Sequence, residues 1–303
     1  MKLTGSVVAL ALLLSPSCGG DAVGDKQTLE VIKSVPDATW ARLASERFYF
    51  GHQSVGYDIV QGIDDLVKLD PKIGLRVVET SDPTAFDQPV FAHGKNGLNK
   101  QPDVKIEAFE RTMADTLGNR VNVAFYKFCY VDITPDTDVA KLFDSYRQSM
   151  GRLRDRFPGT TFVHITSPVT VVESGPKAWA KRVLQRPLAG EEANAVRAKF
   201  NDLLKAEYAG KEPVFDLATV ESTSPGGKAS TYAWRGGTYP KLIKEYSYDG
   251  RHLNVSGRRW VAAHLLRFLA ELPVRPSVNV GASEISDGRG PGTTSARGAR
   301  QGG

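Results

Sequence analysis

Apolar positions along the chain follow two rhythms. Residues 47–50, 75–79, 121–128, 161–165 and 213–217 are apolar at most successive positions, which is the pattern of strands covered on both faces. Between these runs the spacing lengthens to three and four. Ile59, Ile63, Leu66 and Val67 share one helical face after the first run, and Ile106, Phe109, Met113 and Leu117 share another after the second. Val139, Leu142, Phe143, Tyr146, Met150 and Leu153 form a long stripe after the third, and Val196, Phe200, Leu203 and Leu204 follow the fourth. Val261, Leu265, Phe268 and Leu269 mark a closing helix. Strand and helix alternating in this way predict an α/β fold, a three-layer α/β/α sandwich around a five-stranded parallel sheet. Ligands of such sheets collect where the strands end at their carboxyl side. The turn after each run is therefore where chemistry is sought.

The two ends break the pattern. Lys2 precedes the apolar run 7–14, about half of the roughly 20 residues that span a hydrocarbon layer, so the run reads as an export signal. Ser15-Pro16-Ser17-Cys18 resembles a bacterial lipoprotein cleavage box, with Pro16 a departure from its usual pattern. The expected outcomes are lipidation of Cys18, with membrane attachment through that lipid, or an ordinary cleaved leader that delivers a periplasmic or secreted protein. The domain reading is a leader at 1–18, a tether and N-terminal segment at 19–44, one folded domain at 45–272, and a Gly- and Arg-rich tail at 273–303 expected to be disordered.

Composition narrows the class further. With 41% hydrophobic and 24% charged residues among 303, the chain is neither disordered nor polytopic. The net charge of +5 is spread out: the tail holds Arg275, Arg289, Arg297 and Arg300 against Glu284 and Asp287, Lys2 adds one, and the body keeps about +2. No basic run accompanies it, so no nucleic-acid partner is expected. If Cys18 is lipidated or removed, Cys129 lacks a partner within the chain, so no disulfide framework supports the fold. Cys129 reads as a small buried hydrophobe. No His or Cys spacing suits a zinc site, and no metal or other cofactor is expected.

Two segments carry the candidate chemistry. After the first strand, Phe50-Gly51-His52-Gln53-Ser54-Val55-Gly56 runs straight into a helix. A serine in such a turn is either a simple turn former or an exposed nucleophile whose backbone amide faces a developing oxyanion. Almost two hundred residues later, Asp249-Gly250-Arg251-His252-Leu253-Asn254 precedes the closing helix. Asp249 and His252 lie in one tight loop, where the carboxylate can hold one imidazole nitrogen and leave the other for a hydroxyl. The plainer reading makes Asp249 a turn former and Ser256 the helix cap.

These segments resemble the blocks of the SGNH, or GDSL-type, serine hydrolases. Residues 249–254 are similar to that family's last block, with aspartate and histidine three apart and a Leu-Asn pair following. The segment around Gln53-Ser54 is similar to the Gly-Gln-Ser variant of its first block, and the resemblance covers roughly residues 45–270. It implies a flavodoxin-like fold with Ser54 as nucleophile, His252 as base and then acid, and Asp249 orienting His252. Gly97, in the segment from His93 to Asn99, is taken as the second-block glycine whose amide joins that of Ser54. The third block departs: the family has Gly-x-Asn-Asp, whereas this chain has Cys129-Tyr130-Val131-Asp132, so Asp132 fits and the asparagine is missing. Asn96, Asn99 and Lys127 are the candidate substitutes for that oxyanion donor, and His93 a candidate substrate contact.

Of the other histidines, His52 reads as a substrate contact or as a packed turn residue, His164 as a hydrogen-bonded core residue, and His264 as a helix-face residue. The connections 169–190 and 221–247 should emerge at the active edge. The second, with Tyr232, Trp234, Arg235, Tyr239 and Lys241, would either stack on a sugar ring or grip an acidic group, or pack on itself as a lid. The expected activity is an exported serine esterase acting on acyl esters, a small-molecule or glycan acetyl ester among them. The alternatives are a non-catalytic glycan-binding envelope module and a lipase or thioesterase on the same fold.

Overall fold

In a computed structural model the described residues are 19–273, with side chains described from residue 26 onward. The leader, Cys18 and the tail beyond residue 273 lie outside them. The elements run α1 (Gly19–Lys33), α2 (Asp37–Ala44), β1 (Arg47–His52), α3 (Val55–Leu69), β2 (Val77–Glu79), β3 (Val90–Lys95), α4 (Pro102–Arg111), β4 (Val123–Tyr126), α5 (Val139–Arg156), β5 (Thr161–Ile165), α6 (Pro176–Val183), α7 (Glu191–Tyr208), β6 (Val214–Phe215), α8 (Leu217–Ser222), β7 (Thr231–Trp234), β8 (Gly237–Pro240) and α9 (Val255–Ala270).

The main sheet is parallel throughout, in the order β2-β3-β1-β4-β5-β6. Alternate residues of each strand feed opposite cores, as the period of two requires. Phe48, Phe50, Val123, Phe125, Val163 and Ile165 join one cluster with α2, α3, α8 and α9, whereas Tyr49, Ala124, Tyr126 and Phe162 join the other with α4, α5 and α7. This is a three-layer α/β/α arrangement, and a separate hairpin pairs β7 with β8.

Three expectations change. The sheet has six strands rather than five, because β3 lies between β1 and β2. Its apolar run is only Val90-Phe91-Ala92, and His93, Gly94 and Lys95 look like loop; pairing with β1 along all three, and with β2 at His93, makes them strand. Residues 19–44 are not a tether but α1 and α2. Ile32, Val35, Trp40 and Leu43 are buried in the same cluster as α9, and Arg42 donates to the Ala270 carbonyl. The four apolar residues are two pairs three residues apart, separated by Pro36, and each is too short to stand out as a stripe. Leu203, assigned to the core, is 38% exposed, while Phe200 and Leu204 of the same helix are fully buried.

Helices α3 and α9 cover one sheet face side by side. A Cβ on Gly62 would lie 2.2 Å from the Arg258 carbonyl oxygen, so only glycine permits this approach. Arg258 Nε reaches Asp65 at 2.9 Å and its Nη1 reaches Gln61 at 3.0 Å. The pairing matters because α3 begins just after Ser54, and α9 just after His252 and Asn254.

Candidate active site

β1 ends at His52, and the chain turns through Gln53 and Ser54 into α3. Ser54 is the N-cap of α3, a position where serine ordinarily accepts an N–H of the first turn. Here its side chain makes no capping bond, and its backbone stands at φ 52°, ψ −119°. A residue with a Cβ held there carries strain of order 1–2 kcal/mol. The hydroxyl instead lies 2.7 Å from His252 Nε2, across 198 residues of chain.

The loop before α9 presents the imidazole. Asp249 Oδ1 accepts the N–H groups of Arg251 at 2.8 Å and His252 at 2.7 Å, and its Oδ2 accepts His252 Nδ1–H at 2.7 Å. With Nδ1 committed as donor, Nε2 is left to accept the Ser54 hydroxyl proton. Partial burial tends to raise the Asp249 pKa, but the His252 ring and the two backbone N–H groups outweigh it and hold the carboxyl below its ordinary value. Ser247 Oγ ties the loop further, donating to the His252 carbonyl at 2.6 Å while accepting Gly250 N–H at 2.8 Å. The helix cap is Asn254, whose Oδ1 accepts Gly257 N–H at 3.0 Å, not Ser256. Ser256 lies one residue inside the first turn.

The structure therefore brings Ser54, His252 and Asp249 together. It treats the other named residues differently. Gly97 follows β3 at φ 61°, with Lys105 packed so close that a Cβ would lie 2.7 Å from the Lys105 Cα, and its carbonyl accepts from Gln53 Nε2. Gln53 Nε2 also reaches the Asn96 carbonyl at 3.1 Å, so the residue before Ser54 is bound to the segment holding Gly97. Asn96 is buried with its Nδ2 spent on the Lys105 carbonyl at 3.0 Å, and Asn99 is exposed with its Oδ1 on Lys105 Nζ at 2.8 Å. Lys127 is buried beneath the turn, its Nζ 3.1 Å from the Gln53 carbonyl and 3.6 Å from Cys129 Sγ. The donors of Asn96 and Lys127 are spent on protein carbonyls beside the turn rather than on a ligand, whereas Asn99 is engaged through its acceptor Oδ1 alone.

His93 is also corrected. It is buried in β3, with its Nδ1 3.0 Å from His52 Nε2. Burial, reinforced by His93 and Lys127, drives the His52 pKa down to about 2, so this pair is a neutral, packed unit. The second connection is self-packed: Tyr232 is buried with Val172, Ala178 and Leu188, and Trp234 and Tyr239 lean on that cluster.

Several residues that sequence reading passed over hold the site. Asp58, four residues after Ser54, accepts Leu253 N–H at 3.0 Å and so pins the residue after His252. Burial raises its pKa against the opposing pull of that N–H, His252, Lys127 and Arg258. Lys105 forms a fully buried ion pair with Asp132 at 2.6 Å, while Asp132 Oδ2 accepts Cys129 N–H at 2.5 Å. Tyr130 meets the His252 ring edge-on at 5.6 Å and Tyr248 stacks over it at 5.9 Å. Asp58 sits one turn along the helix from the candidate serine, which is a usable signal, and Asp132 was marked by its place in the third block; nothing in the sequence marks Lys105, Tyr130 or Tyr248. A groove of about 960 Å³ runs away from the Asp249–Arg251 loop past Tyr130, Val131, Leu142 and Val171.

No family model matches the chain, and no curated protein does. Solved structures do. A protein from Streptococcus pneumonia provisionally assigned as a platelet activating factor is 16% identical, with 82% of this chain and 92% of that chain covered at a TM-score of 0.45. The salicylyl-acyltransferase SsfX3 from a tetracycline biosynthetic pathway is 11% identical, covering 76% of this chain and 57% of that one at 0.38. The periplasmic domain of a lipopolysaccharide acetyltransferase of Salmonella ser. Paratyphi A is 10% identical, covering 72% and 81% at 0.38.

Proposed function

We propose that the protein is an exported serine esterase that hydrolyses acyl esters through Ser54, His252 and Asp249. The observation that carries the reading is the serine that forgoes its cap, accepts a left-handed backbone and places its hydroxyl 2.7 Å from an imidazole already oriented by a carboxylate. Strain is retained where it serves geometry.

In the proposed reaction, Ser54 Oγ attacks the ester carbonyl carbon while its proton passes to His252 Nε2. The backbone amides of Ser54 and Gly97 receive the oxyanion, and Asp249 stabilises the imidazolium. Collapse expels the alcohol, protonated by His252, and leaves an acyl-serine. Water, activated by the same imidazole, then releases the acid and restores the hydroxyl. The third-block side-chain donor is missing, which costs about 10²–10³ in turnover, so slow hydrolysis is expected. The aromatic hairpin is packed on itself and offers no exposed sugar platform, so an acyl ester is proposed without a preferred alcohol.

A fluorophosphonate probe tests this without knowledge of the substrate. It should label the wild type and not Ser54→Ala, and the variant should lose on the order of 10⁴-fold or more of p-nitrophenyl ester turnover. An unlabelled wild type that turns over no ester from acetate to octanoate would sink the reading.

A further inference from the structure

A second surface lies apart from the triad. Trp179, Val183 and Leu184 are 69%, 62% and 64% exposed and fall within six residues of one another. They lie on and just after α6, whose Ala178 is buried against Val172, Leu188 and Tyr232. Trp179 and Val183 stand four residues apart and share a face, so α6 presents its larger apolar side chains to solvent.

Cations surround that face. Lys177 and Lys181 lie on α6 itself, and Arg182, Arg186 and Arg235 converge on a cleft of about 440 Å³ between the end of α6 and the β7–β8 hairpin. Arg235 stacks on Trp234 at 4.4 Å. Three carboxylates oppose these five cations: Glu173 pairs with Lys181 at 2.5 Å, Glu191 with Arg182 at 2.8 Å, and Glu192 stands 3.7 Å from Arg235. Arg186 has no ion pair among the described residues. An excess of positive charge remains around an exposed tryptophan.

We propose that α6 and the β7–β8 hairpin form a docking surface for an anionic lipid bilayer. Apolar side chains led by Trp and ringed by Lys and Arg suit the headgroup boundary, where the indole sits at the interface and the cations meet anionic headgroups. A second copy of the chain fits less well. The largest of the three side chains buries at most about 250 Å², and three together fall short of the roughly 800 Å² per partner of a standard interface. The surface also has a position that gives docking a use: Glu173, Ala189 and Gly190, on either side of α6 in the chain, line the groove that leads from Asp249. The proposal does not depend on the esterase reading, and Ser54→Ala should dock as the wild type does.

The test uses the full chain with vesicles of phosphatidylglycerol and brominated phosphatidylcholine. Trp40 and Trp260 are buried and Trp234 is partly covered by Tyr239 and Arg235, so Trp179, 69% exposed and the most exposed of the four tryptophans, should dominate quenching of the emission. Wild type should be quenched on these vesicles and not on brominated phosphatidylcholine alone, and Trp179→Phe should lose most of the quenching. Arg186→Ala and Arg235→Ala should each weaken vesicle binding about fivefold, as expected for one cation near an anionic surface, with unchanged melting temperature. Equal quenching of wild type and Trp179→Phe would overturn the proposal. So would self-association in sedimentation that Trp179→Ser abolishes while vesicles leave the emission unchanged.

Discussion

Ser54 shows how one residue can be placed against its own local preference. Its φ of 52° suits glycine, and its hydroxyl, freed from capping, serves His252. Ser54→Ala and Ser54→Gly both remove that hydroxyl, but only glycine relieves the backbone. Relief of about 1–2 kcal/mol, less about 0.4–1 kcal/mol for glycine's freer unfolded chain, leaves a net of up to about 1.6 kcal/mol and should make Ser54→Gly melt up to about 6 °C above Ser54→Ala. At an ordinary backbone position the order reverses, so a calorimetric comparison in which glycine melts lower removes the strain argument. At this scale the sequence was partly legible. Asp249 and His252 are three apart, and their contact is local; the serine was marked by its turn. The directions of Asn96, Lys127 and His93 were not legible, because each is set by a partner on another element: the Lys105 carbonyl, the Gln53 carbonyl and His52.

At the scale of elements, the site depends on how α3 and α9 pack. The start of α3 fixes the hydroxyl, and the loop entering α9 fixes the imidazole, with Asp58 on α3 holding Leu253 N–H as a direct tie between them. Gly62 sets the spacing. Gly62→Ala would force its Cβ against backbone rather than against a side chain that can move, so a loss of about 2–3 kcal/mol is expected, lowering the melting temperature by roughly 5–10 °C. Ester turnover should fall as well, since separating the helices lengthens the Ser54–His252 bond. A Gly62→Ala variant with wild-type stability and turnover would show that the two helices do not govern the site. Helix faces were readable from spacing, as the burial of Ile106, Phe109, Met113 and Leu117 illustrates. Strand β3 was not, because half of its residues are polar or glycine and become strand only through pairing with β1 and, at His93, with β2.

Over the whole molecule, buried ionisable groups set the response to pH. His52 titrates near 6.5 when unfolded and near 2 in the fold, chiefly through burial. The unfolded chain therefore binds the extra proton, and stability is lost as pH falls below about 6.5. Glu221 works in the opposite direction. Burial lifts its pKa from 4.5 to about 8, although Val169 N–H, Lys127 and Arg197 oppose the shift. The folded chain keeps that proton longer, so its stabilising contribution is full below about 4.5 and declines until pH passes about 8. Between pH 6.5 and 8 only Glu221 of this pair still titrates, and its share of the decline is on the order of 2 kcal/mol. Thermal unfolding across pH 6.5–9 should show that decline in the wild type and not in Glu221→Gln. Parallel curves for the two proteins would assign the pH response to other groups.

What the sequence determined by itself was whatever depends on near neighbours: the alternation of strand and helix, the faces that are buried, and the pairing of Asp249 with His252. Periodicity records burial, and burial is imposed residue by residue along an element. The tertiary structure decided what depends on distance in space. It set the sixth strand, the approach of residues 54 and 252, the committed partners of the expected oxyanion donors, and the outward face of α6. A side chain's spacing along the chain says which face it shares, but only the packed neighbours decide what that face meets.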